Sequence, residues 1–173
     1  LDALNRELGG RMVPFAGYAM PVQFPAGIIA EHNQTREKAS LFDVSHMGQL
    51  RLHGESAATA LERLVPGNLE GLKPGRMRYS MLTTDAGTII DDLMVTREVG
   101  GLFVVVNASR FDADLPHMEA NIGSDVEIEV LGGRALVALQ GPAASAALAD
   151  LAPDAGAMPF MSSLALSIGG IDA

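Results

Sequence analysis

The chain has 173 residues, 21 of them acidic and 12 basic, for a net charge of −9. With no basic cluster, this balance argues against nucleic-acid binding by phosphate neutralisation and gives no reason to expect an anionic membrane surface as partner. Hydrophobic residues make up 48%, as in a soluble globular protein able to bury a sizeable core, yet no apolar run approaches the roughly 18 residues that span a bilayer. The absence of cysteine removes disulfides, thiolate nucleophiles and zinc–thiolate sites together, and the opening residues show no charged-then-apolar signal pattern.

Leu1, Leu4 and Leu8 share a helical face ahead of a Gly9-Gly10 stop, and with no cap in front, further residues are expected before Leu1. Residues 11–25, rich in Gly, Pro and aromatics, read as irregular strand and loop, and 27–39 as a polar helix anchored by Ile28 and Ile29. Gln49, Arg51 and His53 alternate with Leu50 and Leu52 in a half-buried strand. Ser56 opens a helix with Ala57, Leu61, Leu64 and Val65 on one face, and strands follow at about 76–83, 88–96 and 102–107. Ser109, with Asp112 three residues on, is expected to cap a second helix whose Phe111, Leu115, Met118 and Ile122 recur at helical spacing, with a kink at Pro116.

Val126, Ile128 and Val130 then alternate with Glu127 and Glu129 before a Gly132-Gly133 turn and a return strand from Ala135 to Leu139. Gly141-Pro142 opens a third helix, Ala143 to Leu151. Leu164, Leu166 and Ile168 alternate up to a Gly169-Gly170 turn whose second strand is barely begun, so the chain is expected to be cut short there as well. This order predicts an α+β protein with antiparallel or mixed sheets and helices on one face, resembling a ferredoxin-like module.

The working part is placed at Tyr79 to Asn107, three strands joined by turns at Thr84-Asp85-Ala86-Gly87 and Glu98-Val99-Gly100-Gly101. Asp91 and Asp92 are adjacent on the middle strand and must point to opposite faces, Asp92 with Ile90 and Met94, Asp91 with Ile89 and Leu93. Either one carboxylate is held among apolar residues, which demands a partner or ligand, or the ladder bulges there and both stay in water. Asn107 is either a strand-end cap or a polar group aimed into a pocket, and Met47, Tyr79, Met81 and Met94 are equally compatible with core. The four histidines, His32, His46, His53 and His117, show no metal-ligand spacing, and no metal site is expected. Ser45-His46 lacks a third triad member, and no P-loop or GxGxxG occurs.

Six segments stand in order: Met12-Val13-Pro14-Phe15-Ala16-Gly17-Tyr18-Ala19-Met20-Pro21, Phe42-Asp43-Val44-Ser45-His46-Met47-Gly48, Tyr79-Ser80-Met81-Leu82-Thr83, Ile90-Asp91-Asp92-Leu93, Val105-Val106-Asn107-Ala108 and Ala138-Leu139-Gln140-Gly141-Pro142. Together they resemble the N-terminal half of the glycine cleavage system T protein family, the tetrahydrofolate-dependent aminomethyltransferases. The resemblance implies that residues 1–48 are an N-terminal segment of a central folate-binding domain and that 49–173 are a ferredoxin-like module, truncated at its C-terminal end. It implies transfer of an aminomethyl group from the lipoyl arm of H protein to tetrahydrofolate, the co-substrate, with release of ammonia in glycine catabolism. By motif position, Asp92 would match the family's essential carboxylate beside the folate, and Met47, Tyr79 and Asn107 would line the folate site, with Asp91 structural.

The same resemblance implies the bacterial cytoplasm, or the mitochondrial matrix in a eukaryote, and an incomplete enzyme without the missing half. Two related readings share the pocket. One is the folate domain of a dimethylglycine- or sarcosine-oxidising enzyme, which a fused flavin domain would mark. The other is a non-catalytic folate-binding protein serving iron–sulfur assembly, against which Asp92 and the Ser45-His46-Met47-Gly48 segment speak.

Overall fold

The computed structural model describes all 173 residues as two units. Residues 1–46, 135–158 and 165–173 form the first, and residues 47–134 and 159–164 the second. This partition differs from the expected division into 1–48 and 49–173, because two later segments join the first unit.

The first unit begins with helix α1 (Asp2–Glu7), the hairpin β1 (Met12–Phe15) and β2 (Tyr18–Pro21), helix α2 (Ile28–Glu37) and strand β3 (Ser40–Asp43). The α1 stripe of Leu1, Leu4 and Leu8 is about half exposed, and Asn5 is the buried residue, its amide donating to Asp43 Oδ2 at 2.8 Å. A polar contact rather than the apolar stripe thus fastens this helix inside its unit.

The second unit runs β4 (Gly48–His53), α3 (Ala57–Glu62), β5 (Met77–Thr83), β6 (Ile89–Glu98), β7 (Gly101–Val106), α4 (Phe111–Asn121) and β8 (Glu127–Val130). Its strands make one antiparallel sheet in the order β5-β6-β7-β4-β8. Four of them, β8-β4-β7-β6, with helices after β4 and β7, have the ferredoxin-like arrangement, and β5 adds an outer strand. Alternation puts Leu50, Leu52, Leu93, Val95, Leu102, Val104 and Val106 on one face, where they pack with Leu61 of α3 and Met118 of α4. Each such side chain contributes about 1.5–3 kcal/mol of burial energy, so this face holds the unit together.

Both turns of the working segment form as expected. Glu98 pairs with Gly101 around a two-residue turn in which Gly100 has φ 79°, and Gly87, with φ 75°, closes the loop from β5 to β6. The entry to α4 differs from expectation. A 3₁₀ turn, Ala108–Arg110, precedes it, and no side chain, Ser109 included, caps either element. Helix α4 runs through Pro116, whose ring removes the partner of the Asp112 carbonyl, and both residues are exposed.

The chain then returns to the first unit with β9 (Val137–Gln140), α5 (Ala144–Ala149) and the short hairpin β10 (Ser167–Ile168) and β11 (Ile171–Asp172). Strand β9 pairs antiparallel with β3, Ser40 opposite Gln140, and not with β8 as the Gly132-Gly133 turn suggested. That pairing spans nearly a hundred residues and ties the later segment to the first unit.

Candidate functional site

The site lies at one end of the five-stranded sheet, where β6 carries the two carboxylates. Asp92 pairs with Met81 and Asp91 with Leu82, and the register then slips so that Thr83 meets Ile89, leaving Ile90 as the extra residue of a bulge. The bulge falls just before the pair, so Asp91 and Asp92 still obey strand alternation. Asp91 points to the helix-covered face with Leu93 and Val95, and Asp92 to the opposite face with Met94. The Tyr79–Met94, Met81–Asp92 and Met94–Val105 pairs make that second face half apolar, with a carboxylate at its end.

Asn107 follows the last residue of β7, and Met47 precedes the first residue of β4, Gly48, which pairs with Val106. All of the sequence-predicted site residues, Met47, Tyr79, Asp92 and Asn107, therefore belong to one unit, three of them at one sheet end. The Asn107 amide nitrogen donates to Asp92 Oδ1 at 2.9 Å, to Asp91 Oδ1 at 3.1 Å and to the Asp92 carbonyl at 3.3 Å. One amide thereby fixes both carboxylates.

Tyr79 stands 54% exposed on the outer strand β5. Its hydroxyl is raised above the ordinary phenol value, first by desolvation and then by the charge of, and hydrogen bonding with, Asp92. A carboxylate gripped by one amide, facing a phenol and keeping free acceptor capacity, can orient an amine, accept its proton or stabilise positive charge beside it.

Asp114 of α4 was not among the expected site residues. It is fully buried, and burial first, then Asp91 as an acceptor for its protonated form and as a like charge, push its carboxyl up to about 7 against the opposing pull of Arg110. The signal was in the sequence: Asp114 falls on the stripe formed by Phe111, Leu115, Met118 and Ile122.

The family model described as the GCVT N-terminal domain matches residues 1–173, the whole chain. The chain belongs to this family. A Dictyostelium discoideum protein named mitochondrial aminomethyltransferase is 41% identical over 182 residues, which cover 99% of this chain and 45% of that protein. The chicken protein of that name is 44% identical over 179 residues, with 99% and 45% covered. The crystal structure of glycine cleavage system aminomethyltransferase T from Bartonella henselae matches 92% of this chain and 45% of its own with a TM-score of 0.86 at 37% identity. This GCVT N-terminal domain thus spans about 45% of the length of these relatives.

The motif segments of this GCVT N-terminal domain divide by the work they do. Ser45 is structural: its hydroxyl bonds the Leu136 backbone from both sides, at 3.3 Å and 3.1 Å. The His46 ring meets Phe15 edge-on at 5.4 Å and Tyr18 at 6.3 Å, which accounts for the aromatic residues of the first motif. Asp43 anchors the same region. Burial would raise its carboxyl, but hydrogen bonds from Ser45 and Asn5 outweigh burial and lower it. Gly141, with φ 127°, sits where any Cβ would strike the Thr35 and Lys38 carbonyls at the end of α2. The Asp91-Asp92 and Asn107 segments meet through the Asn107 amide.

Proposed function

We propose that this chain is the N-terminal part of a tetrahydrofolate-dependent aminomethyltransferase of the glycine cleavage system, taking its one-carbon unit from lipoylated H protein. The observation that carries the reading is Asp92, held by Asn107 on the half-apolar face of the sheet opposite the helices and facing Tyr79. The names of its relatives supply the reaction class, and their bacterial and mitochondrial members suit a bacterial cytoplasm or a mitochondrial matrix. No helix is long and apolar enough to cross a membrane.

The residues present suit a folate. Met47, Met81 and Met94 offer polarisable walls for a flat ring, Tyr79 offers a face and a hydroxyl, and the amide and carboxylate fix its orientation. Tetrahydrofolate, when bound, supplies the amine nitrogens that take up the one-carbon unit. Asp92 would orient the attacking amine, receive its proton and offset the positive charge that grows as the carbon–sulfur bond opens. Asn107 would keep the carboxylate in one rotamer throughout, so that little reorganisation is left for the reaction itself.

The test is turnover by the full-length protein that contains this chain, supplied with aminomethylated H protein and tetrahydrofolate. Ammonia and methylene-tetrahydrofolate in equal amounts are expected. Tight folate binding with no turnover would instead make this a folate-binding protein and overturn the transferase reading.

A further inference from the structure

Three buried carboxylate oxygens in the second unit have no hydrogen-bond donor: both oxygens of Asp114 on α4 and Oδ2 of Asp91 on β6. Asp114 is 0% exposed and packs over β6 within hydrogen-bonding reach of Asp91. Two ionised carboxylates cannot share such a site, because burial and like charge both disfavour the second negative charge. A single proton between them satisfies the arrangement, since a protonated carboxyl is itself a donor. The other Asp91 oxygen accepts from Asn107, and the same Asn107 nitrogen grips Asp92. The side chains therefore form one unbroken line from the core to the open face: Asp114, Asp91, Asn107, Asp92.

We propose that Asp114 is a positioning residue for Asp92: in its protonated form it donates to Asp91 Oδ2, which holds Asp91 against the Asn107 amide and so fixes the orientation of the Asp92 carboxylate. The inference rests on the reading of Asp92 as the working carboxylate. The charged groups facing Asp114 are Asp91 and Asp92 from β6 and Arg110 from the turn before its helix. The first two favour the proton and Arg110 opposes it, with the balance at about 7. Below that pH the proton is in place and the line is intact. Above it, Asp114 ionises, repels Asp91 and loosens the grip on Asn107, so activity declines on the alkaline side.

The experiment uses the full-length protein in three forms: wild type, Asp114→Asn, whose amide is a permanent donor, and Asp114→Leu, which has none. Infrared difference spectra against pH read the protonated carboxyl directly, and kcat and KM for tetrahydrofolate are measured across the same range. A carboxyl band that disappears near neutral pH in wild type and is absent from Asp114→Asn is expected. Asp114→Asn keeps kcat within about threefold and loses the alkaline decline, whereas Asp114→Leu loses about tenfold or more in kcat with little change in KM. A wild type with no such band, or an Asp114→Asn profile that keeps the alkaline decline, overturns the proposal. These two readings decide the matter even if Asp114→Leu fails to fold. An Asp92→Asn control that turns over normally overturns the reading of Asp92, while the band still decides whether the proton pair exists.

Discussion

Asn107 has one amide nitrogen and three acceptors around it, two of them carboxylates that repel one another. Removing that donor leaves Asp91 and Asp92, on opposite faces of β6, without the group that ties them together, and a buried acceptor without its donor costs about 1–3 kcal/mol. Asn107→Ala in the full-length enzyme is therefore expected to lower kcat about tenfold or more while tetrahydrofolate still binds, as steady-state kinetics and calorimetry would show. An unchanged kcat would mean that Asp92 orients itself. The alternation of residues 89–94 was enough to separate the two carboxylates, because a strand gives neighbours opposite faces whatever the tertiary structure. Nothing local could show that Asn107 bridges them, since that contact depends on the register between β6 and β7. Asp114 was legible in principle as a lone carboxylate on an apolar stripe; its partner on another element was not.

At the scale of elements, Gly48 sets how closely α4 approaches the sheet. A Cβ at that position would land on the Phe111 ring and on Val106, the first residue of α4 and the last of β7. Gly48→Ala is expected to cost about 1–3 kcal/mol by overpacking, seen as a lower urea midpoint with an unchanged slope; a wild-type midpoint would mean that α4 shifts freely. The strands of the second unit and their tight turns were readable because period-two alternation and turn glycines are local signals. The β3–β9 pairing was not, because no local pattern records a partner that far along the chain, and the nearby Gly132-Gly133 turn pointed to a hairpin with β8. Pro116 lies on the exposed side of α4, which continues through it.

Across the whole molecule, the two units are built differently. The second contains the clustered core of Leu, Val and Met side chains, and its sheet end bears Asp91, Asp92 and Asn107. The first buries small residues such as Ala152 and Ala155 and leaves Phe15, Tyr18, Ile28, Ile29, Leu41 and Phe42 largely exposed. That contrast explains why the core of the second unit could be read from sequence, whereas the leucine stripe of the opening helix, although the helix itself forms, marks no core: an amphipathic pattern reports a core only where the core is built from that pattern. It also means that activity must be tested on the full-length protein, since the chain spans about 45% of its relatives.

The most direct measurement is calorimetric binding of tetrahydrofolate to full-length wild type and Asp92→Asn, with turnover on aminomethylated H protein measured on the same samples. Asp92→Asn keeps the size of the side chain and removes its charge. Folate affinity within about threefold of wild type, together with a kcat lowered about 100-fold or more, is the predicted result. A variant that binds folate and turns over like wild type would contradict the assignment of Asp92 as the carboxylate that acts in the transfer.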